Sequence, residues 1–147
     1  MKAQIIDSKL TYDIRKRILW PHVKDGNYSL PIDNNSNTFH LGTFIGKQVV
    51  SIGTFIKEQN PKFKNKSHYR LRAMATDTNY QAQGCGKTLF LKGLEILNNK
   101  NIELLWCDAR IHAIPFYESL NMKSLDAVYL INNIGLHKTM YIHLNKK

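Results

Sequence analysis

The sequence predicts an α/β fold: a mixed, mostly antiparallel sheet with helices on both faces and one central parallel strand pair. Two observations predict it. The first is the stretch Tyr69 to Leu97. A strand-like run, Tyr69 to Thr76, meets the turn formers Asp77, Thr78 and Asn79. A Gly-bearing segment, Gln81 to Lys87, then opens into Leu89, Phe90, Leu91, Leu94, Ile96 and Leu97, apolar at helical spacing. Ile102 to Cys107 follows as a short, mostly apolar run fit for a buried strand. Strand, helix and buried strand make a parallel βαβ unit. The second observation is a hairpin pattern on either side. Thr38 to Ile45 and Gln48 to Ile56 flank Gly46-Lys47, and Ser124 to Ile131 and Leu136 to Leu144 flank Asn132-Asn133-Ile134-Gly135.

The remaining elements follow in order. Ala3 to Ile6 suits a short first strand. Leu10 to Leu19 reads as a helix with Ile14, Ile18 and Leu19 on one face and Arg15, Lys16 and Arg17 toward solvent, ended by Trp20-Pro21. His22 to Asn37 is rich in Asp, Asn, Gly, Ser and Pro and predicts a long loop. Lys57 to His68 is a basic loop. Pro115 lacks an N–H and belongs in a first turn, so the next helix starts near Ile111 or His112 and ends by Leu120 or Asn121. Asp108 is placed to cap it.

Length and composition bound the function. A chain of 147 residues, 43% hydrophobic, is one globular domain, 1–147, with a proper core. No apolar run approaches the roughly 18 residues of a membrane span, and no signal peptide is expected. The two cysteines, Cys85 and Cys107, lack metal-ligand spacing, so no metal is expected, and they fit a reduced cytoplasm. The net charge of +10 suits an acidic partner, a nucleic acid or a phosphorylated cofactor. Outside Lys57 to Lys66 the lysines are scattered, which favours compositional bias over a nucleic-acid groove.

The Gly-bearing loop carries the chemistry. The first amides of a helix lack intrahelical partners and sit at the positive end of its dipole, so an anion is their natural guest. Two phosphate motifs fail here. The nucleotide-hydrolase loop G-x-x-x-x-G-K-[ST] fits at Gly86-Lys87-Thr88, but Gln81 holds its first Gly position. The dinucleotide fingerprint G-x-G-x-x-G meets Leu89 at its third Gly. A third pattern fits. Gln81-x-x-Gly84-x-Gly86 resembles the acetyl-CoA loop [Q/R]-x-x-G-x-[G/A] of the GNAT superfamily of N-acetyltransferases. Ala113-Ile114-Pro115-Phe116-Tyr117-Glu118-Ser119-Leu120-Asn121-Met122 resembles the A-x-x-F-Y-x-x-x-G-F segment of the same superfamily.

The resemblance implies a fold, a co-substrate and roles. The parallel strands splay at their C-terminal ends, and the backbone of Met74, Ala75 and Thr76 pairs with the pantetheine arm of acetyl-CoA. Backbone amides of Gln81, Ala82, Gln83, Gly84, Cys85, Gly86 and Lys87 cradle its pyrophosphate. Gln81 lacks the charge of the Arg often found there, and Lys87 supplies it in part. Tyr117 is the acid that meets the departing thiolate. Arg110 reaches a cofactor phosphate or an acidic acceptor, and Asn121 replaces a Gly at a left-handed helix stop. His40, His112 and His137 are weaker candidates on the acceptor side, by ordinary imidazole chemistry. The implied activity is acetyl transfer to a small-molecule or protein amine, with a homodimer as one form open to it and no membrane partner. The competing reading is a non-catalytic module binding acetyl-CoA or nucleic acid.

Overall fold

The computed structural model describes residues 1–24, 26–132 and 134–144, with the backbone alone for Asp126. Asp25 of the expected long loop and Asn133 of the expected last turn lie outside the described residues. Seven strands are hydrogen-bonded in the order β1-β2-β3-β4-β5-β7-β6: β1 (Lys2–Ile6), β2 (Thr38–Ile45), β3 (Gln48–Lys57), β4 (His68–Thr76), β5 (Leu104–Arg110), β6 (Lys123–Ile131) and β7 (Gly135–His143). β1 with β2, β2 with β3, β5 with β7 and β6 with β7 are antiparallel, and β4 with β5 is the parallel pair. The chain packs as two compact units, Met1–Lys57 with Leu71–Ile96 and Glu58–Arg70 with Leu97–Lys147.

In the first unit, side chains alternate along β3 and so divide two cores. Ile52 packs with Ile6, Ile14 and Ala75. Ile14 lies in the short helix α1 (Tyr12–Ile14), which a 3-10 turn, Ser8–Thr11, precedes and a π-type turn, Arg15–Leu19, follows. On the other face of β3, Gly53 lies against Leu89 and Leu71, and Phe55 lies against Gly93. Leu89 and Gly93 belong to α2 (Cys85–Asn99). The two helical stretches therefore cover opposite faces of this part of the sheet. A Cβ at Gly93 would stand 2.4 Å from Phe55 Cζ, so this contact needs a helix surface without a side chain.

Arg15 corrects the expectation of a solvent-facing charge. It is 0% exposed. Its Nη1 donates to the carbonyl of Tyr28 and to Asp33 Oδ2, both at 2.8 Å. Its Nη2 donates to Asp33 Oδ1 at 2.9 Å and to Thr54 Oγ1 at 3.0 Å. Helical spacing alone cannot foresee this. The acceptors come from the loop and from β3, and they make burial of the charge tolerable. Thr54 Oγ1 also meets His40 Nδ1 at 2.8 Å, and His40 Nε2 donates to the carbonyl of Asp33 at 3.0 Å. The described residues of the segment 20–37 have no helix or strand, as expected of a loop, yet this network pins Tyr28 and Asp33 within it.

In the second unit, the parallel ladder runs from His68 opposite Leu104 to Arg70 opposite Trp106. β5 then pairs along its whole length with β7, from Leu104 opposite His143 to Arg110 opposite His137. Glu103 Oε1 accepts the amides of Lys66 and Ser67 at 2.7 and 3.1 Å, so a carboxylate fastens the basic loop. α3 (Ile114–Ser119) follows a 3-10 turn, Ile111–Ala113, with Pro115 in its first turn as expected. The cap position is Arg110 and makes no side-chain cap bond, so Asp108 does not cap this helix. Asn121 adopts φ +70, the left-handed stop expected of it.

Burial pushes the Asp33 carboxyl up, but the bonds from Arg15 and the Leu30 amide outweigh it and hold the group below its usual 3.8. A carboxylate whose folded pKa is depressed stabilises the fold above the unfolded value and loses that contribution as pH falls through the folded one. Arg15→Met leaves Asp33 buried and unpaired. It is expected to cost about 3–5 kcal/mol, or a fall in Tm of roughly 10 °C. Adding Asp33→Asn to it should recover part of that loss. Equal melting of wild type and Arg15→Met at pH 7 would show that the pair stabilises nothing.

Candidate active site

The first unit holds the loop and the end of β4. The turn starts at Asp77, which is 4% exposed. Its amide donates to the carbonyl of Val50 at 2.8 Å. Its carboxylate accepts Arg17 Nη2 at 2.9 Å and the Asn79 amide at 3.2 Å. Arg17 and then the Asn79 amide hold this carboxyl below its ordinary range, so it stays charged. Arg17 also pairs with Asp13, four residues back on the same helical turn. The loop then bonds inward: Gln81 Nε2 donates to the carbonyl of Thr76 at 3.1 Å, and Gln83 Nε2 to that of Asn79 at 3.3 Å. Those bonds bring Gln81 back to the end of β4 and Gln83 back to the 3-10 turn, Thr78–Tyr80, that follows it.

Ala82 and Gly84 adopt φ +60 and +84. Gln81, Ala82, Gln83, Gly84 and Lys87 are exposed, whereas Cys85 and Gly86 are buried. α2 begins at Cys85, earlier than the apolar pattern indicates, and Thr88 N closes the first intrahelical bond on the carbonyl of Gly84 at 2.9 Å. The amides of Cys85, Gly86 and Lys87 therefore sit ahead of the helical ladder, at the positive end of the dipole. Thr43 Oγ1 donates to the carbonyl of Cys85 at 2.9 Å and fixes this first turn to β2. Within β4, Met74 and Thr76 are half-buried and Ala75 is buried. Ala73 stands at φ +50, so the expected alternation of Leu71, Ala73 and Ala75 breaks there.

His40 sits in the Arg15 network with both ring nitrogens engaged, away from the loop helix and on the opposite side of the sheet. The second unit holds the other candidates. Tyr117 is 8% exposed, and its ring meets that of Phe116 edge-on at 5.1 Å. Burial first, and then the nearby Cys107, push its phenol well above 10.0. His112 is exposed, and Arg110 is half-buried and makes no ion pair among the described residues. His137 is 3% exposed, and its Nδ1 donates to the carbonyl of Gly135 at 2.8 Å. A neutral imidazole held that way carries its lone pair on Nε2.

Sequence reasoning passes over a set of residues around Asp108. Arg70 Nη2 donates to Asp108 Oδ2 at 2.7 Å and Nη1 to Glu58 Oε2 at 3.1 Å. The Tyr129 hydroxyl donates to Asp108 Oδ1, and its ring stacks on His137 at 6.1 Å. Burial, and then the bond to Asp108, raise that phenol to about 12. A signal is present: Asp108 and Arg110 alternate on one face of an otherwise apolar strand. The partners of Asp108 come from β4 and β6 and need the register.

Cys107 is 2% exposed, and burial followed by the charge of Asp108 pushes its thiol from 9.0 to about 12. Thiolate is the reactive form, so near pH 8 roughly a thousandfold less of it forms than at an ordinary cysteine. Native protein should resist iodoacetamide at Cys107 and react fully in denaturant, read by mass spectrometry. Rapid alkylation in the native state would show that the thiol is neither buried nor raised as described.

Residues 9–122 match the family model described as Acetyltransferase (GNAT) family. The uncharacterized N-acetyltransferase YitI of Bacillus subtilis (strain 168) is 35% identical over 141 residues, covering 96% of this chain and 95% of its own. An aminoglycoside 6'-N-acetyltransferase complexed with coenzyme A matches 100% of this chain and 99% of its own, with TM-score 0.79 and 12% identity. The ribosomal-protein-S18-alanine N-acetyltransferase of Escherichia coli matches 99% and 95%, with TM-score 0.74 and 16% identity. At such identities the structural likeness speaks to the fold.

Proposed function

This chain belongs to the GNAT family of acetyltransferases, whose co-substrate is acetyl-CoA, and on that premise we propose that residues 1–147 act as one domain moving an acetyl group to a primary amine by direct attack in a ternary complex. The observation that carries the binding half is the loop itself. Gly84 stands at φ +84 with nothing within 4 Å of the place a Cβ would take, and its neighbours Gln81, Ala82 and Gln83 are exposed. Together with the amides of Cys85, Gly86 and Lys87, that backbone fits a pyrophosphate. Lys87, exposed in the same turn, adds a charge. The backbone of Met74, Ala75 and Thr76, beyond the irregularity at Ala73, holds the pantetheine arm.

Tyr117 and His137 serve the leaving group and the amine respectively. Burial keeps the Tyr117 phenol protonated across the working range, so it meets the sulfur as a neutral hydroxyl. A free thiol has a reference pKa of about 8.5, so outright transfer from this phenol is uphill, and its role is a hydrogen bond to the sulfur as charge builds there. His137 takes the proton of the amine at Nε2, whose lone pair the Nδ1 bond to Gly135 leaves available. His40 has no such lone pair to spare. Two buried free thiols suit the cytoplasm. No helix among the described residues is long and apolar enough to cross a membrane.

Calorimetry with coenzyme A tests the loop. Gly84→Val places a β-branched residue at φ +84, where an L-residue costs about 1–2 kcal/mol. A backbone shifted to relieve that strain no longer aims its amides at the pyrophosphate, so binding should weaken at least tenfold, or roughly 1.4 kcal/mol. Unchanged affinity removes the loop from the site. Thiol release with a panel of amines tests the chemistry. Tyr117→Phe and His137→Gln should each lower kcat roughly a hundredfold while KM for acetyl-CoA holds within about twofold. Turnover at the wild-type rate in either variant strikes that residue from the mechanism.

A further inference from the structure

We infer that the acceptor is a free amino acid, read by a dipolar strand end built from Asp108, Arg110 and their cross-strand neighbours; this rests on the transferase reading above. Asp108 and Arg110 are two residues apart on β5, so they project from one face about 7 Å apart. Their partners on β7 are Thr139 and His137, and His137 faces Tyr129 on β6. The side chains share that face, because the Tyr129 ring stacks on His137 while its hydroxyl reaches Asp108.

One end of this patch is negative. A single guanidinium, Arg70, serves two carboxylates, Glu58 and Asp108, which leaves a net negative charge among the three. The Asp108 side chain is 22% exposed, and a carboxylate has lone pairs to spare after accepting from Arg70 and Tyr129. An ammonium already rests nearby: Lys62 Nζ stands 5.2 Å from the centre of the Tyr129 ring and 3.5 Å from Thr139 Oγ1. That wall accepts an alkylammonium, and a substrate amine would take the place of the Lys62 ammonium. The other end is positive. Arg110 has no ion-pair partner among the described residues, and its fork matches a carboxylate bidentately. His137 Nε2 lies on the same face, opposite Arg110 in the register.

A free amino acid carries an ammonium and a carboxylate one carbon apart, with the same polarity as this strand end. A lysine side chain or a peptide N-terminus brings the amine without the carboxylate. The reaction balances simply. The bound ammonium gives up two protons: His137 takes the first, the freed nitrogen forms its bond to the acetyl carbon as the thioester C–S bond breaks, and the second proton leaves on the departing thiol.

The test compares L-amino acids with their carboxamides in thiol release from acetyl-CoA, with wild type, Arg110→Gln and Arg110→Lys. The expected result is a preference for acids on the order of a hundredfold in kcat/KM, since an unanswered polar group is rejected strongly. Arg110→Gln should raise KM for the acids at least tenfold, far more than it changes KM for the amides or for acetyl-CoA, and be partly rescued by Arg110→Lys. Amides used as well as acids, or a loss in Arg110→Gln that falls on acetyl-CoA, overturns the inference and leaves the transferase standing. Thiol release with no amine in the panel, despite coenzyme A binding in calorimetry, overturns the inference and the transferase reading together.

Discussion

Asp77 places everything the loop offers to an anion. It ends β4, and its amide is tied to β3 through Val50. Its carboxylate is held by Arg17 from the first helical stretch, while the Asn79 amide closes the next turn on it. A buried carboxylate without those donors would be costly, so the position of the turn and the charge of Asp77 require each other. The backbone downstream then has little freedom. Two left-handed residues, Ala82 and Gly84, and the bond from Thr43 to the first turn of α2 complete a rigid approach to the helix N-terminus. A binding surface made of main-chain amides needs such rigidity, because it has no side chains to adapt.

The two structural neighbours act, by their names, on an aminoglycoside and on a protein alanine. The fold therefore does not set the acceptor. In this chain a charged and aromatic set, Asp108, Arg110, Tyr129 and His137, stands on β5, β6 and β7. Arg70 is central there, shared between Glu58 and Asp108 and stacked over Trp106 at 4.9 Å.

The loop and its helix are legible because their signals are local. A strand pattern, turn formers, two glycines and an amphipathic run lie within one continuous stretch, and each dictates backbone conformation directly. Hairpin limits come out within a residue or two for the same reason. Arg15 is not legible. Periodicity counts any charge as a vote for solvent, and the acceptors that bury it come from Tyr28, Asp33 and Thr54. Asp108 reads as a helix cap because its true partners, Arg70 and Tyr129, depend on strand register. The positive φ of Ala73 has no signal at all, since alanine is ordinary in a strand.

The hydrogens around Arg15 circulate in one direction. Its guanidinium gives to Thr54, which must then give to His40 Nδ1; His40 Nε2 gives to the Asp33 carbonyl, and the Asp33 carboxylate closes the circuit by accepting from Arg15 again. No member can reverse without stranding its neighbour. Tyr28 and Asp33 are thus latched to the sheet rather than draped over it, and opening the circuit at any one member unfastens both.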